Sequence, residues 1–197
     1  FIILSPVGPY YPQGFNPVKI MVSEKYVRAV PGGVGYAKTG GNYAASILAE
    51  KEAKELGYTQ VLWLDAVERR YIEEVGSMNI FFLINEEIVT PQLTGSILPG
   101  ITRISVLELG KHWGLKVSER RVSIDEILKG LKDGSVTEIF GSGNAAVISP
   151  VGVLSYKGEE CQVGNGETGP ITSRFYEELT GIQYGKVADP FDWVESI

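Results

Sequence analysis

The sequence predicts a mixed α/β fold in one large domain of a 197-residue chain. Segments rich in β-branched and aromatic residues alternate with segments of helical periodicity. Hydrophobic residues make up 44% of the chain, enough to bury a sizeable core, and no unit of about 20 to 50 residues recurs, so a solenoid is disfavoured.

Phe1-Ile2-Ile3-Leu4 has the composition of a strand, with neither an initiator methionine nor a basic leader. Residues 1–6 are therefore expected to be the last strand of an N-terminal small domain, and the chain to be the interior of a longer protein. Residues 7–17 hold three prolines and two glycines and are expected to link that domain to the large one over 18–197. Tyr10 and Tyr11 give this tether unusually large aromatic surfaces.

Within the large domain, 18–22 reads as a strand, 23–30 as a short helix and 31–41 as a dense turn region. Asn42 stands as the N-cap of a helix over 43–56, whose Ala45, Leu48, Ala49, Glu52, Ala53 and Leu56 follow i, i+3, i+4 spacing before a stop at Gly57. Residues 61–65 form a buried strand by composition, and 71–75 and 79–84 continue the strand pattern after a polar turn. The turn at 94–100 leads into a helix over 101–114, with Ile104, Leu107, Leu109 and Trp113 in period. Next come a strand over 116–122, an amphipathic helix over 124–133 opened by Ser123, and a strand over 136–140 running into Gly141-Ser142-Gly143. A hairpin over 147–163, a glycine-rich turn at 164–169, a helix over 170–180 and an aromatic tail complete the chain.

Charge and cysteine content narrow the function. The net charge of −6 leaves no basic face for phosphate neutralisation, so nucleic acid is not an expected partner. No apolar run approaches the roughly 20 residues a membrane-spanning helix needs. Cys161 is the single cysteine, which excludes an intrachain disulfide and a cysteine zinc motif, and no metal is expected; a reducing, cytoplasmic setting is. His112, beside Trp113 on a helix, reads as a surface or packing residue, and Arg69-Arg70 and Glu177-Glu178 as solvated charges.

The sharpest feature is Gly32-Gly33-Val34-Gly35-Tyr36-Ala37-Lys38-Thr39-Gly40-Gly41-Asn42-Tyr43, with five glycines around one lysine. Glycines at this density let the backbone approach a ligand or another strand closely. A plain glycine-rich connection is one explanation. A phosphate-binding loop is another, since Gly32 to Thr39 departs from G-x-x-x-x-G-K-T only at Ala37; that residue lies where the backbone would wrap the phosphate, and Gly40-Gly41-Asn42 delays the helix that should begin at the lysine. The third is a lysine that bonds to the aldehyde of pyridoxal phosphate, a chemistry that also needs a carboxylate for the pyridine nitrogen and backbone amides for the phosphate. Glu73 and Glu74 are both candidates for the carboxylate, but adjacent strand residues face opposite sides, so one of the two can meet the ring.

Gly32 to Tyr43, with Glu74-Val75-Gly76-Ser77-Met78-Asn79-Ile80, Leu98-Pro99-Gly100-Ile101-Thr102-Arg103, Phe140-Gly141-Ser142-Gly143-Asn144-Ala145-Ala146 and Ile182-Gln183-Tyr184-Gly185, resembles the branched-chain amino acid aminotransferases. These are fold-type IV pyridoxal phosphate enzymes, and the likeness is colinear over nearly the whole chain. It implies a distorted barrel-like sheet flanked by helices, the cofactor at a domain interface, and a homodimer or larger assembly. The implied reaction is transamination between leucine, isoleucine or valine and 2-oxoglutarate.

By the same resemblance, Lys38 matches the lysine that holds the cofactor and moves the proton of the substrate α-carbon, and Tyr43 the partner of the cofactor's phenolic oxygen. The Val-Gly that follows Glu74 marks it, not Glu73, as the pyridine-nitrogen partner. Ile101 and Thr102 match phosphate-binding backbone amides, at a helix start after a Pro-Gly turn where free N–H groups collect. Ser77 and Ala145 match positions near the substrate carboxylate.

Three departures stand out. Asn144 replaces a threonine that binds the phosphate through its hydroxyl; an amide can donate there but is longer. Ala146 and Ser149 stand where some relatives carry a Cys-x-x-Cys pair. The family's phosphate-binding arginine and most of its hydrophobic substrate pocket belong to an N-terminal domain outside this chain, so the fragment itself is expected to be weakly active or inactive. D-amino acid aminotransferase, aminodeoxychorismate lyase and a non-catalytic binding or dimerisation module are the alternatives.

Overall fold

The computed structural model describes residues 1, 3, 5, 6 and 14–195. Among these, one curled sheet and four helices account for the regular structure. In chain order they are β1 (Val18–Val22), α1 (Gly40–Glu55), β2 (Gln60–Leu64), β3 (Ile72–Val75), β4 (Asn79–Ile84), β5 (Glu87–Pro91), α2 (Ile101–His112), β6 (Lys116–Arg120), α3 (Ile124–Asp133), β7 (Val136–Gly143), β8 (Val147–Tyr156), β9 (Glu159–Gln162) and α4 (Pro170–Gln183). Of the expected strand over 1–6, residues 2 and 4 lie outside the described ones and residues 1, 3, 5 and 6 have no strand assigned; of the expected linker over 7–17, residues 7–13 lie outside them.

Strands lie in the order β3-β2-β1-β8-β7-β4-β5-β6, with β9 paired to the second half of β8. The pairs β1/β2, β1/β8 and β5/β6 are parallel and the others antiparallel. The two edges then approach each other: Tyr71 bridges Ser123, Ile72 N–H donates to the Val122 carbonyl at 2.9 Å, and Ile124 N–H to the Arg70 carbonyl at 2.9 Å. The mixed α/β, barrel-like architecture expected from the sequence is therefore present.

A sheet covered on both faces explains the uninterrupted apolar run of β4. Ile80, Phe82 and Ile84 join Ile20, Leu62, Val89 and Leu154 inside the barrel, where α3 adds Ile124 and Ile127. Phe81 and Leu83 point the other way, into a second core with Phe140 and Ile148, closed by Val106 and Leu109 of α2 and Phe175 and Leu179 of α4. Burying each such side chain contributes about 1.5–3 kcal/mol. A smaller cluster packs Ala49 and Ala53 of α1 on Val61 and Trp63 of β2.

Local signals fixed some elements and misled at others. α3 begins where Ser123 Oγ accepts Glu126 N–H at 3.1 Å and stops at Gly134 in the left-handed region, φ 81°. The expected helix over 23–30 is absent, because Ser23 Oγ accepts Tyr26 N–H and donates to the Tyr26 carbonyl, closing a turn. α1 is capped at Thr39, not Asn42, and its buried residues are Asn42, Ser46, Ala49 and Ala53. Leu48 and Leu56, expected on the buried face, are exposed along with Ile47. β5 was not anticipated: it ends in a proline, and the Asn85-Glu86 turn before it has both residues at positive φ without a glycine to announce it.

Candidate active site

β3 places Glu73 and Glu74 side by side, both buried, on opposite faces of the strand. Glu74 Oε1 accepts the Leu98 N–H at 2.8 Å and the Asn79 amide at 3.4 Å, and Oε2 lies 2.9 Å from Arg28 Nε. Burial pushes its carboxyl up to about 7, against the opposing pull of the Arg28 charge and the Leu98 N–H. Glu73 accepts from Ser96 Oγ, and burial raises its carboxyl too.

The two carboxylates serve different spaces, as strand alternation requires. Glu74 lines a small cavity with Arg28, Tyr43, Ser77 and Leu98. Glu73 lines a separate, wider cleft with Asp65, Tyr71, Ser96 and Arg121. Of the residues singled out from the sequence, Tyr43, Glu74 and Ser77 thus share one cavity.

The glycine-rich segment forms a series of turns held from within. Asn42 Nδ2 donates to the carbonyls of Val34 at 2.9 Å and Ala37 at 2.8 Å, so the side chain expected to cap α1 instead ties down the loop before it. Ala37 lines the Glu74 cavity, and Lys38 follows it as an exposed residue just ahead of the helix cap. Gly35 packs so closely on the Ser96 carbonyl, and 2.6 Å from Ala29 Cβ by the position a Cβ would take, that no side chain fits.

A second cluster forms at the start of α2. Gly100 provides an extended N-cap, and the first turn has no acidic side chain and no side-chain cap, which leaves its N–H groups to meet an anion. Thr102 Oγ1 donates to Asn144 Oδ1 at 3.1 Å, joining this turn to the one between β7 and β8. Asn79 connects the two clusters, since its amide reaches both Glu74 and the Leu98 carbonyl, the latter at 2.8 Å. Gly141 and Gly143 let β7 settle on Met78, with ideal Cβ positions 2.9 and 3.2 Å from its side chain.

Lys38, Ile101 and Ala145 are exposed and do not line the Glu74 cavity; the last two neighbour Thr102 and Asn144. Arg28 and Ser96 were not expected at the site from the sequence. An isolated arginine between Val27 and Ala29-Val30 was the available signal for the first. His112 packs edge-on against Phe191 at 5.4 Å, a structural contact. Among the described residues no cluster of His, Cys, Asp or Glu forms a metal site, and no helix is long and apolar enough to cross a membrane.

The donor set suits a phosphorylated pyridine aldehyde: a tyrosine and a buried carboxylate line one cavity, an exposed amine follows Ala37 at its edge, and N–H donors with an amide lie at the start of α2. The chain is 60% identical over 196 residues to branched-chain-amino-acid aminotransferase 2 of Bacillus subtilis (strain 168), covering 100% of this chain and 54% of the relative. The chain thus spans about half the length of the curated relatives it matches. The Escherichia coli branched-chain amino acid aminotransferase superposes with a TM-score of 0.84 at 33% identity, over 98% of this chain and 60% of that one. The branched-chain aminotransferase of the thermophilic archaeon Thermoproteus uzoniensis, solved with norvaline, gives 0.81 at 28% identity, over 97% and 59%. A further branched-chain amino acid aminotransferase, complexed with N-(5'-phosphopyridoxyl)-L-glutamate, gives 0.79 at 29% identity, over 91% and 56%. The amino-transferase class IV family matches residues 1–153, and with the carboxylate, tyrosine and helix start in the arrangement above, the chain belongs to the class IV aminotransferases.

Proposed function

We propose that this chain is the large, cofactor-binding domain of a pyridoxal phosphate-dependent aminotransferase acting on leucine, isoleucine or valine with 2-oxoglutarate. The observation that carries the reading is the buried Glu74 carboxylate in one cavity with Tyr43 and Ser77, linked through Asn79 and Leu98 to the segment that opens α2. The substrate class rests on the names of the relatives at 56–60% identity, and the glutamate partner on the relative complexed with phosphopyridoxyl-glutamate.

When bound, the cofactor supplies a ring that accepts the electrons left by removal of the substrate α-proton. Glu74 holds the ring-nitrogen proton, and Tyr43 donates to the phenolic oxygen. The Ile101 and Thr102 N–H groups, with Asn144 Nδ2, would orient the phosphate, while Thr102 Oγ1 holds the Asn144 amide in place. Lys38 Nζ, first the tether, then takes the proton from the substrate α-carbon. Ser77 and the Ala145 N–H orient the substrate carboxylate. In this reading the protein is a homodimer, and the exposed Ile47 and Leu48 of α1, with Leu56 at its C-cap, are apolar surface available for burial. A reducing, cytoplasmic setting suits the lone Cys161.

The test uses a full-length protein carrying this chain. It should consume L-leucine and 2-oxoglutarate with release of glutamate, and Lys38→Ala should abolish covalent cofactor absorbance and slow turnover by at least about a thousandfold. An unchanged absorbance band in Lys38→Ala, or turnover of D-amino acids in place of L-leucine, would overturn the assignment.

A further inference from the structure

Arg28 is buried at 9% exposure, in a segment with no regular structure, ten residues ahead of Lys38. Its guanidinium meets three separate parts of the chain. Nε faces Glu74 Oε2 at 2.9 Å, and Nη2 donates to the carbonyls of Gly35, at 3.4 Å, and Ser96. Gly35 and Ser96 are themselves in van der Waals contact, so this one side chain closes the junction between the Lys38 loop and the segment that leads through Leu98 into α2.

We propose that Arg28 is the positioning residue of this site: it opposes proton uptake by the buried Glu74 carboxylate and locks the Lys38 loop to the segment that opens α2. The inference rests on the reading of Glu74 as the partner of the ring nitrogen. Burial favours the protonated form of a carboxyl and a facing cation opposes it, and a protonated carboxyl cannot balance a charged ring nitrogen. The groups around Glu74 are Arg28 from the loop, Glu73 from its own strand, Asn79 from β4, the Leu98 N–H from the loop before α2, and Tyr43 from α1. Arg28 is the one cation among them. The guanidinium reaches the carboxylate through Nε and the two carbonyls through Nη2, a fixed planar spread; a lysine supplies the charge from one nitrogen without that spread.

The two duties separate experimentally in the full-length protein, through Arg28→Gln, Arg28→Lys, Glu74→Gln and the Arg28→Gln/Glu74→Gln double variant. The readouts are the pyridoxal phosphate dissociation constant as a function of pH and the midpoint of the Glu74 carboxyl titration in the cofactor-free protein, followed by 13C NMR. Arg28→Gln should raise the Glu74 midpoint by a pH unit or more and weaken cofactor binding at least tenfold at neutral pH. Arg28→Lys should return the midpoint close to the parent value while the dissociation constant stays raised, because the Gly35 and Ser96 carbonyls have lost their donor. In the Glu74→Gln background, Arg28→Gln should no longer shift the pH dependence of binding. An unmoved Glu74 midpoint in folded Arg28→Gln overturns the proposal, as does a parent-like dissociation constant in Arg28→Lys, which keeps the test decisive if the glutamine variant does not fold. A parent protein that titrates as described but binds no pyridoxal phosphate overturns the aminotransferase reading, and with it the cofactor-facing half of this one.

Discussion

Thr102 Oγ1 donates a hydrogen bond to Asn144 Oδ1 at 3.1 Å, across 42 residues of sequence, and so joins the first turn of α2 to the turn between β7 and β8. With Oδ1 occupied in this way, the Nδ2 hydrogens are the part of Asn144 left to face an anion. Asn144→Thr should keep most of the cofactor affinity. Asn144→Ala should cost one hydrogen bond to a charged group, about 1.5–3 kcal/mol or roughly 10- to 100-fold in the dissociation constant. Asn144→Asp should cost more by setting a carboxylate against the phosphate. Equilibrium titration of the full-length protein with pyridoxal phosphate measures all three, and an aspartate variant that binds like the parent would remove Asn144 from the phosphate site.

The buried carboxylates give stability a distinctive pH dependence. Glu74 is raised from 4.5 to about 7 in the folded protein, so the folded state holds its proton more tightly than the unfolded chain does. Its contribution is complete below pH 4.5 and is lost as pH rises to about 7, a change of about 3 kcal/mol in the cofactor-free protein. Glu73 acts in the same direction. Asp65 acts in the opposite one: burial raises it, but N–H groups of Tyr71, Glu68, Arg70 and Val67 together hold it below 3.8, so its contribution fades as pH falls through that range. Urea unfolding between pH 4.5 and 8 should show stability falling toward neutrality, and Glu74→Gln should flatten that slope. A parent slope of opposite sign would contradict the burial of both glutamates as charged groups.

Much of this site could be seen in the sequence because its parts are backbone devices. Gly100 before α2, Gly141 and Gly143 in β7 and Gly33 and Gly35 before Lys38 mark places where main chain comes close to a neighbour, while Gly32 serves a positive φ instead. Ser123 and Gly134 delimit α3 through one side-chain hydrogen bond and one left-handed residue, both local properties. What stayed hidden depends on contacts distant in sequence. Arg28 meets Ser96 across 68 residues, and its apolar neighbours Val27, Ala29 and Val30 hint at burial without naming the partner. Asn42 resembles a helix cap until the carbonyls of Val34 and Ala37 are found within reach of its amide. The buried face of α1 departs from the one its periodicity predicts, because Leu48 and Leu56 fit a helical period equally well whether the surface that covers them lies in this chain or in another.

Glu138 supports the opposite end of the sheet. It is buried on β7 and accepts from Ile171 N–H at 3.1 Å, Thr172 N–H at 2.7 Å and Thr172 Oγ1 at 2.6 Å, capping α4 from outside the helix. Glu138→Ala should leave those donors buried without partners and weaken an anion's interaction with the helix dipole, costing about 2–4 kcal/mol. Glu138→Gln, which keeps one acceptor, should cost less. The denaturation midpoint with unchanged m-value checks this, and near-parental stability of the alanine variant would show that water replaces the carboxylate.

Gly35 links the fold most directly to the chemistry. An added Cβ would overlap the Ser96 carbonyl and approach Ala29 Cβ to 2.6 Å, and the first of these is backbone that cannot swing aside. Gly35 also presents its carbonyl to Arg28 at 3.4 Å, so any displacement of the loop opens the junction that Arg28 closes. Gly35→Ala is therefore expected to push the 31–39 loop outward while leaving the sheet and its cores intact. Overpacking of this kind costs about 1–3 kcal/mol. Cofactor affinity and turnover should fall by more than the loss of global stability accounts for, because Lys38 and Ala37 lie on the displaced loop. Comparing the thermal midpoint of the cofactor-free protein with the pyridoxal phosphate dissociation constant separates the two effects. A variant that loses stability yet binds cofactor like the parent would show that the loop relaxes around the methyl group without moving the lysine.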